Sequence, residues 1–406
     1  MSSDPRVLVI ADAPLSENSG GAGLTLCNLL SALPPRNVLS FVPRASTQGH
    51  PPTEPWAART RAYEVPFPHR QRAPLRYFNP LWATLNDLTA DVVVEEHLAA
   101  LRRFQPDVIL ASPITALDVH VAASAVRKLG VPHAVYFMDD WMTHEPVESR
   151  QRLESAARWL VATSSVRLMI SAKLSAEYQR RFGPARTDDV VLQNPVLTER
   201  FLSSSQAARG DGRKVLVYAG AIWPMHRDAL EALARAVAHL RGQGTDVVLR
   251  VHTSPTFWQQ HASLFEPLGV EFGGHLPHRD VPDALKRADA LVVACSFLPE
   301  WAPFSRYSIQ TKLGEYLMTG RPVLVVGPDD AACAEWVAQH SAGAVLSAPS
   351  TEGLAAALRD LLGDDARLRA LGVAGQALAQ REHAREQVQP RFVAALQRAC
   401  VGAGVH

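Results

Sequence analysis

The amino-acid sequence predicts an α/β protein built from two doubly wound, Rossmann-like domains. Short apolar runs of strand length alternate with longer amphipathic stretches along nearly the whole chain, as in parallel sheets covered by helices. The chain has 406 residues, which is more than one hydrophobic core usually supports. A polar stretch rich in Gly and Ser, SSSQAARGDGR, interrupts the alternation at residues 203–213 and indicates a boundary region.

The first half of the chain carries the elements of one wound domain. Its apolar runs predict strands near Val7–Ala11, Asn37–Val42, Asp107–Ser112, His133–Phe137, Arg167–Ile170 and Val190–Leu192. Helical periodicity between them predicts helices such as Leu24–Leu33, Thr115–Leu129, Glu148–Ala162 and Lys173–Phe182. We therefore predict a first domain over residues 1–200.

The alternation restarts in the second half and predicts a second domain over residues 201–385. Its strands are predicted at Val215–Ala219, Val247–His252, Val270–Phe272, Ala290–Ala294, Val323–Val326 and Ala344–Leu346. Its predicted helices include Asp228–Arg241, 308–319 and Glu352–Leu362. No strand follows a last helical stretch near Glu386–Val401, so we expect residues 386–406 to pack back on the first domain.

The composition argues against several classes of protein. A formal net charge of +1 gives no electrostatic case for binding nucleic acid. No apolar run reaches membrane-spanning length, and the polar, acidic start does not read as a signal sequence. The cysteines, which are Cys27, Cys295, Cys333 and Cys400, lack metal or redox spacing, so we expect buried thiols in a reducing cytoplasm.

The segment YSIQTKLGEYLMTGRPVLVVGP, residues 307–328, carries an informative polar face. A helix over residues 308–319 places an apolar stripe on one side and Lys312 and Glu315 on the other. Because this helix follows a buried strand, its first turn is expected at the carboxyl edge of a parallel sheet. There, backbone N–H groups and Lys312 suit a phosphate, and Glu315 suits sugar hydroxyls. The alternative is a solvated ion pair that contributes a few tenths of a kcal/mol.

Together with the two wound domains, the glycine-rich SGGAGLT, the Asn194–Pro195 pair and KLGEYLMTGRPVLVVG resemble the GT-B glycosyltransferases, and among them the family 4-like group. The similarity covers nearly the whole chain. It implies two domains facing a cleft and transfer of a sugar from a nucleoside diphosphate to a glycan, lipid-linked or small-molecule acceptor, with retention of configuration. We expect no cofactor beyond the donor substrate and no metal, since no metal-binding constellation is visible in the sequence.

The resemblance also implies where the donor binds in the second domain. Glu315 would bind the ribose, while Lys312 and Arg227 would act as catalytic groups that stabilise the departing diphosphate. His226 is the alternative to Arg227 in YAGAIWPMHRD, and a surface arginine is the other interpretation. The further donor contacts implied are Gly220, His275, Leu276, Ser308, Ile309, Gln310 and Thr311.

The chain departs from the family pattern eight positions before Glu315, where Tyr307 replaces a second glutamate. Glu300 follows the preceding strand and is the candidate replacement if the intervening loop is longer. Two other hypotheses therefore stay open: a nucleotide-sugar isomerase of the same fold, and a non-catalytic binding partner of a true transferase.

Two motifs in the first domain are candidates for the acceptor side. Gly20 and Gly21 of SGGAGLT let a backbone approach a ligand closely. A buried strand in AVYFMDDWMTHE ends in Asp139 and Asp140, with Met138 where relatives carry a histidine. These acids would position hydroxyls in a retaining enzyme, or one would be a general base in an inverting enzyme, and Asp139 is our catalytic candidate. The alternative for Asp140 is a turn cap.

The stretch PFPHRQRAPLRYFNPLW mixes Arg70, Arg72 and Arg76 with aromatic residues. It would suit a lipid-linked acceptor or peripheral contact with an anionic inner membrane face. Its prolines argue against a regular amphipathic helix and favour a solvated loop anchored by its aromatic residues.

Overall fold

A computed structural model describes residues 4–16, 20–66, 79–144, 147–185, 187–202 and 212–401. The chain divides into two compact units, one formed by Met1–Leu192 with Val388–His406 and the other by Gln193–Gln387. This division lies a few residues before the predicted boundary at residue 200. The basic and aromatic stretch of residues 67–78 lies outside the described residues.

The first domain contains a seven-stranded sheet whose paired strands are all parallel, in the order β3-β2-β1-β4-β5-β6-β7. The strands are β1 (Val7–Ile10), β2 (Val38–Pro43), β3 (Thr60–Tyr63), β4 (Val108–Ala111), β5 (His133–Phe137), β6 (Val166–Met169) and β7 (Val190–Val191). The helices are α1 (Gly21–Leu30), α2 (Arg44–Gly49), α3 (Asn79–Phe104), α4 (Ala116–Leu129), α5 (Val147–Thr163) and α6 (Ala172–Phe182).

The second domain contains a six-stranded parallel sheet in the order β10-β9-β8-β11-β12-β13. The strands are β8 (Lys214–Ala219), β9 (Val247–His252), β10 (Glu271–Phe272), β11 (Ala290–Ala294), β12 (Val323–Val326) and β13 (Ala344–Leu346). The helices are α7 (Thr198–Leu202), α8 (Pro224–Gly242), α9 (Pro255–Phe265), α10 (Val281–Lys286), α11 (Ala302–Tyr307), α12 (Thr311–Met318), α13 (Ala332–Gln339), α14 (Thr351–Leu362) and α15 (Asp365–Glu382).

In both sheets, helices cover the two faces, which explains why the central strands are apolar along their whole length. Every residue of β1, β4, β5, β11 and β12 is buried, which is the burial expected of parallel strands covered on both sides. The predicted fold class, two Rossmann-like domains, is confirmed. In each sheet the strand order reverses beside the first strand, between β1 and β4 and between β8 and β11. Ligands of such sheets bind beyond the carboxyl ends of the strands at this reversal.

The final helix, α16 (Arg385–Val401), contributes to the core of the first domain. Val388, Phe392, Ala395 and Leu396 are fully buried there. Gln389 Nε2 also donates a hydrogen bond to the carbonyl oxygen of Asn28 at 2.6 Å. The first domain is therefore built from both ends of the sequence.

Two elements of the first domain were not predicted. Strand β3 has the sequence TRAY, in which only Tyr63 is buried, so it lacks the apolar run of the other strands. Helix α3 begins within the stretch that its prolines led us to interpret as a loop. None of the described helices combines the length and the apolar character needed to cross a bilayer.

Helix α12 packs against the segment at the start of the second domain. Asn194 Nδ2 donates to the carbonyl oxygen of Ile309 at 3.1 Å, and the N–H of Val196 donates to the carbonyl oxygen of His383 at 2.7 Å. The buried His383 ring lies over Gly314, where an added Cβ would come within 2.6 Å of Nδ1. Because the ring has no exposed surface to move into, only glycine fits at this position of the helix.

We expect Gly314→Ala to lower the free energy of unfolding by about 1–3 kcal/mol, because the added methyl overpacks a filled site. Urea denaturation measures the change. Gly242→Ala is the matched control, since nothing lies within 4 Å of a Cβ added there at the end of α8. Equal stability of the two variants would contradict the close packing of α12.

Candidate functional site

The predicted donor residues meet at the strand-order reversal of the second sheet. Gly220 follows β8, Cys295 follows β11, and α12 begins beside both. The Tyr316 side chain of α12 fixes this arrangement, since its hydroxyl accepts from the N–H of Ala219 at 2.8 Å and donates to the carbonyl oxygen of the same residue at 3.0 Å. The carboxyl end of β8 and the helix are thus joined by two hydrogen bonds.

The helix begins three residues later than the sequence predicts. Ser308 and Gln310 are extended, and Thr311 is the first helical residue. The carbonyl oxygens of Ser308 and Ile309 accept hydrogen bonds from Cys333 Sγ and Asn194 Nδ2. The prediction that the helix starts at residue 308 is therefore wrong, and residues 308–310 form the approach to it.

Gln310 holds this approach in place. Its Nε2 donates to the carbonyl oxygen of Ala294 at 2.7 Å, at the end of β11. Its backbone N–H faces Cys333 Sγ at 3.4 Å. The predicted donor residues at positions 308–310 thus lie in the segment before α12. Side-chain contacts hold this segment against the sheet, and it leads directly into the helix N-terminus.

Lys312 lies enclosed between α12 and the end of β8. Its Nζ sits 3.8 Å from the centre of the Tyr218 ring, a cation–π contact. Among the described residues, this buried Nζ has no hydrogen-bond partner. Gly220 has a φ of +134°, and a Cβ there would lie 3.0 Å from Nζ, so glycine leaves room for the ammonium. An anion that binds at this position could accept hydrogen bonds from the N–H groups of the Lys312 ammonium.

Burial gives both ionisable groups of α12 unusual pKa values. Desolvation lowers the pKa of Lys312 from 10.5 to about 7. Desolvation also raises the pKa of Glu315 from 4.5 to about 7, although Arg200 and Lys312 oppose that rise. Near neutral pH both groups therefore change between charged and neutral forms, and a bound anion would favour the charged form of Lys312.

Arg200 and His278 extend the polar network behind Glu315. Arg200 Nη1 donates to His278 Nδ1 at 2.6 Å, and Nη2 donates to the His278 carbonyl oxygen. A guanidinium can only donate, so Nδ1 accepts and the ring proton is on Nε2, which lies 3.9 Å from Glu315 Oε1. Desolvation and Arg200 lower the pKa of His278 to about 4, so the ring is neutral at pH 7.

The two cationic alternatives after β8 differ in their surroundings. His226 is buried, and its Nδ1 lies 3.0 Å from the Tyr218 hydroxyl and 3.3 Å from the carbonyl oxygen of Ala221. Desolvation and Lys312 lower the pKa of His226 to about 3, so this residue in the first turn of α8 is neutral at pH 7 and does not supply a cation. Arg227 is exposed near the start of α8, and its role stays a prediction.

The remaining second-domain candidates lie on the surface of the same domain. His275 is exposed and Leu276 half-buried in the loop after β10. Glu300 is exposed on a short 3-10 turn, Pro299–Trp301, and Tyr307 ends α11. Contacts of His275 and Leu276 with a base, and the replacement of the missing glutamate by Glu300, stay predictions.

In the first domain, Gly20 and Gly21 start α1, and Gly21 has a φ of +40°. Asp139 is half-buried after β5. Asp140 is fully buried, and its two carboxylate oxygens accept from Arg181 Nη1 and Nη2 at 2.9 Å each. This bidentate ion pair joins the end of β5 to α6, and the turn-cap interpretation of Asp140 stays a prediction. Acceptor contacts of Gly20, Gly21, Asp139 and Asp140 stay predictions.

The other expectations from the sequence concern cysteines and metals. Cys27, Cys295 and Cys333 are buried free thiols, as predicted, whereas Cys400 is half-buried. Within the described segments, no group of three or more His, Cys, Asp or Glu side chains could hold a metal ion.

Comparison with known families identifies the second domain. The profile of the family described as glycosyl transferases group 1 matches residues 213–364, the part of the chain that carries Gly220, Lys312 and Glu315. The match covers most of the second domain and none of the first. Glycogen synthase from Mycobacterium tuberculosis is 27% identical over 225 residues, which is 54% of this chain and 50% of the synthase. The chain thus spans about half the length of this curated relative.

Solved structures extend the similarity in fold to both domains. Sucrose-phosphate synthase from Thermosynechococcus elongatus has a TM-score of 0.73 at 16% identity, covering 98% of this chain and 100% of that one. HepE from Anabaena, in complex with UDP, has a TM-score of 0.69 at 15% identity, covering 97% and 99%. These similarities show that the fold is the GT-B fold.

Several residues of the site were not found from the sequence. Tyr218, Arg200 and His278 reach α12 from segments distant in the chain, and no local pattern marks such contacts. Asn194 was noted only as part of an Asn–Pro pair, and its contact with Ile309 shows what the pair does.

Lys312 makes the stability of the protein depend on pH. The unfolded chain keeps this proton up to about pH 10.5, while the folded protein loses it near pH 7. Between these values the unfolded state binds more protons, so the contribution of Lys312 to stability rises with pH.

We expect Lys312→Met to have a larger free energy of unfolding than wild type near neutral pH. The difference between the two free energies should narrow as the pH rises to about 9.5. Denaturation at several pH values measures it, with Lys214→Met as control, which removes a partly exposed lysine of β8 that pairs with Asp365. A pH-independent difference would contradict the enclosure of Nζ.

We expect that in Arg200→Met the His278 ring is no longer restricted to the tautomer with its proton on Nε2. Nitrogen NMR of the wild-type ring should report a proton on Nε2 and a neutral ring down to about pH 5, because desolvation and Arg200 depress its pKa. In Arg200→Met the pKa of His278 should rise and both tautomers should appear. Arg279→Met, which removes the exposed neighbouring arginine, is the control. A wild-type ring protonated on Nδ1 would refute the network.

Proposed function

We propose that the protein is a glycosyltransferase that moves a sugar from a UDP-sugar, bound by the second domain, to an acceptor. One observation carries the proposal: Lys312 and Glu315 lie one helical turn apart, at the strand-order reversal where wound sheets bind ligands. A nucleoside diphosphate needs a cation and N–H donors for its phosphates and a carboxylate for its ribose, and α12 offers all three.

The diphosphate would bind at the start of α12. The first N–H groups of a helix have no partner within it, and the positive end of the helix dipole favours an anion. Lys312 Nζ adds a charge at a position where glycine at residue 220 admits a close approach. As the bond to the sugar breaks, negative charge grows on the leaving diphosphate, and these groups would stabilise it. Arg227 is our proposed second cation.

The ribose would bind Glu315. Its carboxylate accepts hydrogen bonds from hydroxyls, and a charged acceptor makes these bonds stronger. Arg200 favours the ionised form of the carboxylate, and the neutral His278 ring keeps an N–H near Oε1. Both residues would therefore act as positioning groups for Glu315.

Known relatives support the choice of nucleotide. HepE from Anabaena has been crystallised with UDP and with UDP-glucose. We assign the acceptor to the first domain, with Asp139 as the group that positions it. Retention of configuration is supported by the resemblance to the family 4-like group.

The proposal is tested by calorimetric titration of wild type, Lys312→Met and Glu315→Gln with UDP, GDP, ADP and dTDP. We expect UDP to bind most tightly and each variant to lose at least about 1 kcal/mol, the value of a charge-assisted contact. Lys214→Met, which removes a partly exposed lysine at the opposite end of β8, should bind as wild type does. If no nucleotide binds, or if the two variants match wild type, the polar face of α12 is solvated surface and the donor site is wrong.

Turnover separates the transferase from the other two hypotheses. Release of UDP from UDP-glucose only when an acceptor is added supports a transferase. Conversion of the donor to an isomer without acceptor would show the isomerase instead. Tight UDP binding with no turnover of any nucleotide sugar would favour the non-catalytic partner, the hypothesis that Tyr307 keeps open.

A further inference from the structure

A cavity of about 720 Å³ lies at the β3 edge of the first sheet and has a strongly cationic lining. Strand β3 and the carboxyl-terminal half of α3 form its walls, with small or apolar side chains such as Ala58, Ala62 and Ala100. Its charged and titratable lining consists of Arg6, Arg44, Arg59, Arg61, Arg103 and His97, and we call it the arginine groove. None of the acceptor-side candidates lines it.

Most of these arginines have no carboxylate partner. Arg44 pairs with the exposed Glu64. In the described part of the chain, no carboxylate oxygen lies within 4.0 Å of the guanidinium groups of Arg59, Arg61 or Arg103. Because like charges held close together repel one another, a groove of this kind is stabilised when an anion enters it.

Two of the cations are already oriented. Arg61 Nε and Nη2 lie 3.2 and 3.1 Å from His97 Nδ1, which must accept, so His97 carries its proton on Nε2. Desolvation and Arg61 lower the pKa of His97, so this ring is a neutral donor at pH 7. Arg6 is held by Gln105 Oε1 at 3.4 Å and by the Phe104 ring, whose centre lies 4.9 Å from its guanidinium carbon. These contacts orient Arg61 and Arg6 through neutral partners, so the positive charge of the groove is kept.

We propose that the arginine groove binds a ligand that carries at least two phosphate groups. Guanidinium groups match phosphate oxygens in pairs, and several of them converge here on one concave surface. The volume suits a small molecule or a single headgroup and is too small for a folded partner. The phosphates belong either to a soluble phosphorylated compound or to a lipid headgroup at a membrane surface. The proposal is independent of the donor site, which lies in the other domain.

The first experiment titrates the full-length protein with inorganic tripolyphosphate. We expect saturable binding that weakens as salt is added. Arg59→Ala/Arg103→Ala should bind at least about tenfold more weakly, since each arginine supplies charge-assisted hydrogen bonds. Arg36→Ala/Arg102→Ala is the matched control, because it removes two exposed arginines of the same domain that do not line the groove. A far-UV circular dichroism spectrum and a thermal unfolding transition that match those of wild type check that each variant is folded.

The second experiment distinguishes the two sources of phosphate. Sedimentation with phosphatidylcholine vesicles that contain phosphatidylinositol 4,5-bisphosphate, whose headgroup carries more than one phosphate, would identify a lipid headgroup if it is lost in the groove variant and with plain phosphatidylcholine vesicles. Tripolyphosphate binding without vesicle binding would identify a soluble ligand. Absence of saturable binding, equal loss in the groove and control variants, or tighter binding of a single-stranded oligonucleotide than of tripolyphosphate would overturn the proposal.

Discussion

The enclosure of the Lys312 ammonium at the carboxyl end of β8 is the constraint on which the candidate site depends. A buried amine is costly unless an aromatic face or an anion compensates it, and here the Tyr218 ring lies 3.8 Å away. That geometry requires a glycine at residue 220 and a helix held against the strand, which the Tyr316 hydroxyl provides. Tyr218, Gly220 and Tyr316 thus all serve to accommodate the Lys312 amine, which is partly protonated near neutral pH.

Much of the fold follows from the sequence because parallel strands buried on both faces are continuous apolar runs. The predicted and observed bounds agree for Val247–His252, Ala290–Ala294 and Val323–Val326. Strand β3 escaped prediction because an edge strand buries only part of its surface, and its polar residues line the arginine groove instead of a core. The other strands could be recognised in the sequence because burial requires apolar residues, and not because of intrinsic strand preference.

The candidate site was predictable only where its residues are neighbours in the chain. Lys312 and Glu315 stand out because helical periodicity places them on one face, and Gly320 marks the end of the helix. The start of α12 was misplaced because Ser308 and Gln310 are extended, in a segment that Asn194 and Cys333 contact from distant parts of the chain. Arg200 and His278 were missed for the same reason, since a contact across many residues leaves no local pattern.

The two cationic regions of the molecule differ in how they hold charge, and this difference bears on their roles. Lys312 is a single enclosed amine whose pKa of about 7 lets it lose its charge, so its affinity for an anion varies with pH. The arginine groove keeps its charge at every physiological pH, and its open setting leaves it subject to screening by salt. An enclosed, titrating lysine suits a leaving group whose charge changes during a reaction. A fixed set of arginines suits a ligand that is bound but not transformed.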